Sequence, residues 1–372
     1  MRRLIAAVLL ALLIRGYAIA QETVREQDSS EQKELSYYLT SHWQSPEDYV
    51  VGKFKNHQIV FLGEYHRIKH DPELVQALIP RLYKAGVYNL GFEFGAFADQ
   101  ADVDRMLNAP AYDETVARKS LFDDLPVWGY KEYEEIYRAA WELNHSLPPD
   151  APRFRVVNLN LKYPEQKKMD DDAYMAKSFL MRSSPKSRKL VYCGMHHAFT
   201  RYHQPVYDFK EGFLERLNDQ RMGNLIYKQI GNQAMTICLH FPWVSSKGWD
   251  EPAVRPANGM IDELMATFKD TRVGFDVVGT PFESVSATDT CYAFGHPGFK
   301  LADFTDGYIY QKPFREYQGV TVDPQFITKE NLKEAVDMLA DLEAAKNLTS
   351  PEVFVRVMQE DADMQKRFKD VH

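Results

Sequence analysis

The sequence predicts an α/β protein: a largely parallel central sheet with helices on both faces, a functional edge at the strand carboxyl ends, and a helical C-terminal extension. Three observations lead there. Short apolar runs alternate with longer helix-like stretches along most of the chain. The runs are apolar throughout, as strands buried on both faces should be. The first ordered unit, from "QIVFLG" through "DPELVQALIPRLYKAG" to "NLGFEFG", reads as β-α-β, the building block of a parallel sheet.

The chain opens with "MRRLIAAVLLALLIRGYAIAQE". Two arginines, an apolar stretch from Leu4 to Ile14 and the ending Ala18-Ile19-Ala20 have the layout of a secretory signal peptide over residues 1–20, cut before Gln21. Arg15 ends an apolar stretch shorter than the roughly 20 residues a spanning helix needs. Export to the periplasm or medium is therefore expected, with no stable membrane span after cleavage. Residues 21–45 are read as a mobile N-terminal segment, because their polar, charged beginning has no periodicity. Residues 46–322 form the expected α/β domain, and 323–372 the C-terminal helical extension.

Within the first unit, Asp71 is expected at the helix N-cap, Pro72 at the first helical position and Gly86 just past the end. Pro80 should kink or end that helix. Further strands are expected at "RFRVVNLN", "RKLVYCG", "AMTICLHF", "VGFDVVG" and "GYIYQK". Helices are expected near 99–107, 131–143, 164–181, 208–219, 260–268, 329–345 and 351–368.

A net charge of −8 gives no electrostatic footprint for nucleic acid. A small-molecule or peptide substrate is the partner class expected. The cysteines, Cys193, Cys238 and Cys291, are too few and scattered for a disulfide scaffold and read as structural. No G-x-S-x-G nucleophile elbow occurs.

Both strands of a β-α-β unit point the same way. Glu64, at the end of the first, and Glu93, near the end of the second, therefore reach the carboxyl edge where open α/β sheets place ligands. "RKLVYCG" runs into "MHH" and delivers His196 and His197 to the same edge. Each residue alone has an ordinary explanation: a strand-end glutamate is usually solvated or caps a helix. Glu93 is different, because it is surrounded by apolar residues in "LGFEFGAF" and needs a cationic partner or a metal. Either a hydrolytic metal site or a metal-free His/Glu acid–base pair would satisfy it.

"GEYH" at 63–66 and "GMHH" at 194–197 both fit G-x-x-H, with the acidic strand "LGFEFG" following the first after one helix. Together with "VWGYKEYEEIYRAAWELN" and "ADFTDGYIYQKPFR", this arrangement resembles the large group containing erythromycin esterases, haem-binding ChaN proteins and the Tiki and TraB proteins. The resemblance spans roughly residues 55–315. It implies that Glu64, His66, Glu93 and His197 form the site, as catalytic residues or as ligands of a divalent metal such as zinc, manganese or iron. It further implies hydrolysis of an ester or amide by an exported enzyme. The spacing between Glu64 and His66 follows the Tiki and ChaN form, whereas the esterases carry one more residue there. The ChaN likeness implies an alternative, haem or iron binding, with Tyr65, His66, His70 or a tyrosine of the aromatic helix as axial ligand.

Other features have plainer readings. His70 is expected exposed or capping, and His196 in packing or a supporting role beside the site. Tyr130, Tyr133, Tyr137 and Trp141 follow the spacing of a packed helix face. Asp170-Asp171-Asp172 lacks the ligand spacing of a calcium loop and reads as a solvated helix face.

Overall fold

The computed structural model describes residues 30–371, apart from 164, 169, 182–186, 250 and 341. The expected signal peptide lies outside the described residues. Among the described residues there are nine strands: β1 Ile59–Glu64, β2 Asn89–Ala96, β3 Arg155–Asn160, β4 Lys189–Gly194, β5 Gln204–Asp208, β6 Phe213–Asn218, β7 Ala234–Leu239, β8 Val273–Asp276 and β9 Gly307–Tyr310. Seven form the central sheet in the order β3-β2-β4-β1-β7-β9-β8, and β5 pairs with β6. Within the large sheet only β8, at one edge, runs antiparallel to its neighbour.

The strand period of two divides the core between two faces. Val60, Leu62, Leu90, Phe92, Leu190 and Tyr192 pack on one side with the helices His70–Lys84 and Lys131–Ser146. Ile59, Phe61, Val157, Val191 and Cys193 pack on the other with Asp171–Met181, Met222–Ile230 and Met260–Thr267. Strands β1, β4, β7 and β9 are buried throughout, which is why they read as unbroken apolar runs.

The C-terminal extension crosses from one face to the other. Phe354 and Met358 of the helix Pro351–Asp361 join the first core, and Met364 and Phe368 join the second. Among the described residues, no helix is long and apolar enough to cross a membrane.

Several local expectations are corrected. Of the stretch 21–45, residues 21–29 lie outside the described residues, whereas 30–42 are helical with Leu35 and Leu39 fully buried. The helix expected over 208–219 is the β5–β6 hairpin. There the Asp208 side chain accepts the Lys210 and Glu211 backbone N–H groups, and Gly212 takes φ 75° to close the turn. Helices over Pro46–Lys53, Glu114–Asp124 and Met222–Ile230 were not anticipated.

Asp71 is not an N-cap. The helix starts at His70, and Asp71 is fully buried, accepting a hydrogen bond from the Gln311 amide at 2.9 Å. Pro80 does not end the helix, which runs on to Lys84. Leu78, Ile79 and Leu82 are fully buried around it, so packing carries the helix past the missing donor.

Candidate active site

The ladder of β1 on β4 sets Glu64 opposite Gly194, and that of β2 on β4 sets Phe92 opposite Tyr192. Glu64, Glu93 and the residues after Gly194 therefore arrive at one level of the carboxyl edge, as the sequence implied. The pleat then sends the two acids to opposite faces. Glu64 follows Val60 and Leu62 toward the aromatic helix, whereas Glu93, between Phe92 and Phe94, points toward Asp171–Met181.

Glu64 is 2 % exposed. It accepts hydrogen bonds from Tyr133 at 3.1 and 3.2 Å and from Tyr192, and its Oε1 lies 2.7 Å from His66 Nδ1. These partners replace the water that a buried carboxylate would otherwise lack. The His66 ring is held edge-on by Phe94 and Trp128, with centroids 5.4 and 5.1 Å away. No described residue hydrogen-bonds its Nε2. A Cβ on Gly194 would lie 2.7 Å from His66 Cε1 and 3.5 Å from Glu93 Oε2, so the imidazole needs a glycine there.

On the other face, Glu93 accepts the Gly194 N–H at 2.5 Å and faces His197 Nε2 at 3.3 Å. His197 Nδ1 bonds Asp172 at 2.7 Å. Asp172 is held in turn by Arg221 at 3.0 Å and the Met222 N–H at 2.7 Å. Burial opposes the charged imidazole of His197, but Glu93 and Asp172 outweigh it and lift its pKa to about 9. Burial likewise opposes the Asp172 carboxylate, yet His197, Arg221 and the Met222 N–H bring its pKa down to about 2. His197 is therefore an imidazolium clasped by two carboxylates. The adjacent His196 is neutral, since burial and the positive charges around it bring it to about 3, and its Nε2 meets the Tyr292 hydroxyl at 3.0 Å.

Glu64, His66, His196 and His197, but not Glu93 or Asp172, line a cavity of about 280 Å³ together with Tyr65, Arg67, Gly194, Met195, Phe241, Trp249, Tyr292 and Arg367. The cavity combines apolar walls with a few convergent polar groups, as small-molecule sites do.

The fold is shared with a solved succinoglycan biosynthesis protein. That structure is 10% identical over 80% of this chain and 99% of its own, with a TM-score of 0.53. Similar structures also include the haem-bound ChaN of Campylobacter jejuni, at 15% identity over 56% of this chain and 90% of that one, TM-score 0.35. An erythromycin esterase mutant in its open conformation matches at 9% identity over 72% and 97%, TM-score 0.39. Overlaps of this size carry no statement about chemistry. No family model and no curated protein matches the sequence.

The expected metal ligation by Glu64, His66, Glu93 and His197 does not fit this arrangement. Among the described residues no three His, Cys, Asp or Glu side chains converge to hold a metal ion. Glu64 and Glu93 are committed to protein donors, and a protonated His197 has no lone pair to offer. For haem, Tyr65 and His66 line the cavity, although the Tyr65 hydroxyl already receives Arg367 Nη1 at 3.1 Å. His70 is not among the residues that line the cavity. It is neither exposed nor capping: it is buried with its ring 4.7 Å from Tyr317.

Sequence reasoning missed Asp172, Tyr192, Arg67, Arg221 and Arg367, and weighed Tyr133 as core. A usable signal existed for Asp172. A helix that follows a parallel strand starts at the carboxyl edge, so acids in its first turn face the site. The cysteines are structural as expected: all are buried and free, and burial pushes their thiols up, Cys291 to about 12.

Proposed function

We propose that this protein is a hydrolase of ester or amide bonds in which His66 is the general base. The observation that carries this reading is the Glu64–His66 pair: a buried carboxylate fixes Nδ1 while Nε2 stays unclaimed beside a cavity. Nε2 would take a proton from a water as the water oxygen attacks the substrate carbonyl carbon. Glu64 stabilises the resulting imidazolium, as the carboxylate of a serine-protease triad does. When the carbon–oxygen or carbon–nitrogen bond breaks, the same proton passes to the leaving group. In this reading His197, held between Glu93 and Asp172, supports the cavity wall on which His66 also stands.

Export belongs to the same proposal and rests on the leader-like residues 1–20. N-terminal sequencing of the protein released from cells tests it, with cleavage before Gln21 the expected result. The hydrolase reading is tested by assaying a panel of chromogenic esters and anilides with wild type and His66→Ala. Turnover lost in the variant supports it, and equal turnover would reject it.

The second reading is haem capture, favoured by Tyr65 and His66 in an aromatic-walled cavity. Haemin titration with wild type and Tyr65→Phe tests it.

A further inference from the structure

Among the described residues, two guanidiniums, Arg67 and Arg367, line the cavity with one carboxylate, Glu64, which His66 and two tyrosines already hold. His197 is cationic too, but Glu93 and Asp172 offset it. Asp361, which lies between the two guanidiniums, offsets part of their charge. The aromatic walls of the cavity are Tyr65, Phe241, Trp249 and Tyr292.

Both guanidiniums are held in place. Arg67 sits in the left-handed backbone region at φ 74°, which a residue with a side chain adopts only where its surroundings enforce it. Its Nε donates to the Tyr130 hydroxyl at 2.9 Å, and its guanidinium lies 4.8 Å from the Trp128 ring. Between the two arginines stands a carboxylate of the chain itself. Asp361 Oδ2 is 2.7 Å from Arg67 Nη2, and Oδ1 is 2.5 Å from Arg367 Nη2. The Asp361 side chain is 37 % exposed, whereas that of Arg67 is only 13 % exposed. Paired guanidiniums around one carboxylate are a recognition geometry.

We propose that Arg67 and Arg367 form a carboxylate clamp that selects substrates bearing a carboxylate near the scissile ester or amide, the substrate's carboxylate replacing Asp361. The apolar body of the substrate lies against the aromatic walls. The word scissile rests on the hydrolase reading above, whereas the clamp itself does not.

The test compares mono-p-nitrophenyl glutarate with p-nitrophenyl valerate, which share chain length and leaving group. Wild type should show kcat/KM at least about tenfold higher for the glutarate, the scale of one charge-assisted contact. Arg367→Gln should bring the ratio toward one. Asp361→Asn, which removes the internal competitor, should raise it. Equal kcat/KM for both esters in wild type would overturn the clamp and leave the hydrolase reading standing. Loss of selectivity in Asp361→Asn would also overturn it, since Asp361 would then only be holding the arginines in place. If neither ester is cleaved, calorimetry with 4-phenylbutyrate and 4-phenylbutanamide decides. Binding of the acid alone, lost in Arg367→Gln, supports the clamp while the hydrolase reading fails. No preference for the acid overturns the clamp.

Discussion

Asp172 Oδ1 lies 2.7 Å from His197 Nδ1, and Glu93 closes on the other nitrogen of the same ring. The first turn of a helix and the end of a neighbouring strand are thereby joined through one imidazolium. This relationship holds Glu93 ionically in a setting that is otherwise apolar, and it has a pH signature.

The pKa of His197 rises from 6.5 to about 9 on folding. A raised pKa means that the stabilisation is fully present below pH 6.5 and is lost as pH climbs through 9. The stability difference between wild type and His197→Gln should therefore be constant at pH 5–6.5 and shrink steadily toward pH 9. Asp172, lowered to about 2, adds a second loss only as pH falls from 3.8 through 2. Urea unfolding across this range checks both, and a difference that stays flat from pH 6 to pH 10 would refute the ion triad.

Removing Asp172 leaves His197 with a single carboxylate and Arg221 with Gln204 but without the Asp172 carboxylate. Asp172→Ala should destabilise the fold by about 3–5 kcal/mol, as expected when one member of a buried ion pair is deleted. Lys177→Ala, exposed on the same helix, should cost less than about 0.5 kcal/mol. Chemical denaturation of the two variants side by side measures the contrast.

The fold was legible because apolar runs and intervening helices obey simple periodicities, and because a β-α-β unit fixes which strand ends share an edge. Glu64, Glu93 and His197 followed from that topology. Asp172 escaped because three consecutive aspartates look like a solvated helix face unless the helix is known to start over the site. The 208–219 hairpin escaped because "DFKEGFLERLND" has helix-like composition, and its turn depends on Asp208 and Gly212. Arg367 was out of reach, since its place depends on a C-terminal segment crossing from one face of the sheet to the other.

Gly194→Ala tests the packing of His66 directly. The new Cβ would sit 2.7 Å from His66 Cε1, so the ring must move. A misplacement of roughly 1 Å can cost about 10²-fold in rate, whereas overpacking of this size costs about 1–3 kcal/mol in stability. A folded variant with kcat reduced by that order is expected, read by ester hydrolysis and circular dichroism together.

Haemin provides a separate check on His70. Because His70 is packed against Tyr317 outside the cavity, His70→Ala should leave any haemin absorbance change as it is in wild type. Any Soret band that does form should weaken in Tyr65→Phe or His66→Ala instead. Loss of the band in His70→Ala alone would mean that the site is placed wrongly.

The most direct measurement is kcat/KM for ester hydrolysis by chelator-treated wild type, His66→Ala and Glu64→Gln. Wild type should keep its rate after chelation, His66→Ala should fall by about 10²–10⁴-fold, and Glu64→Gln should fall with it. An unchanged rate in His66→Ala, or a wild-type rate abolished by the chelator and restored by a divalent ion, would contradict a His66–Glu64 base acting without a metal.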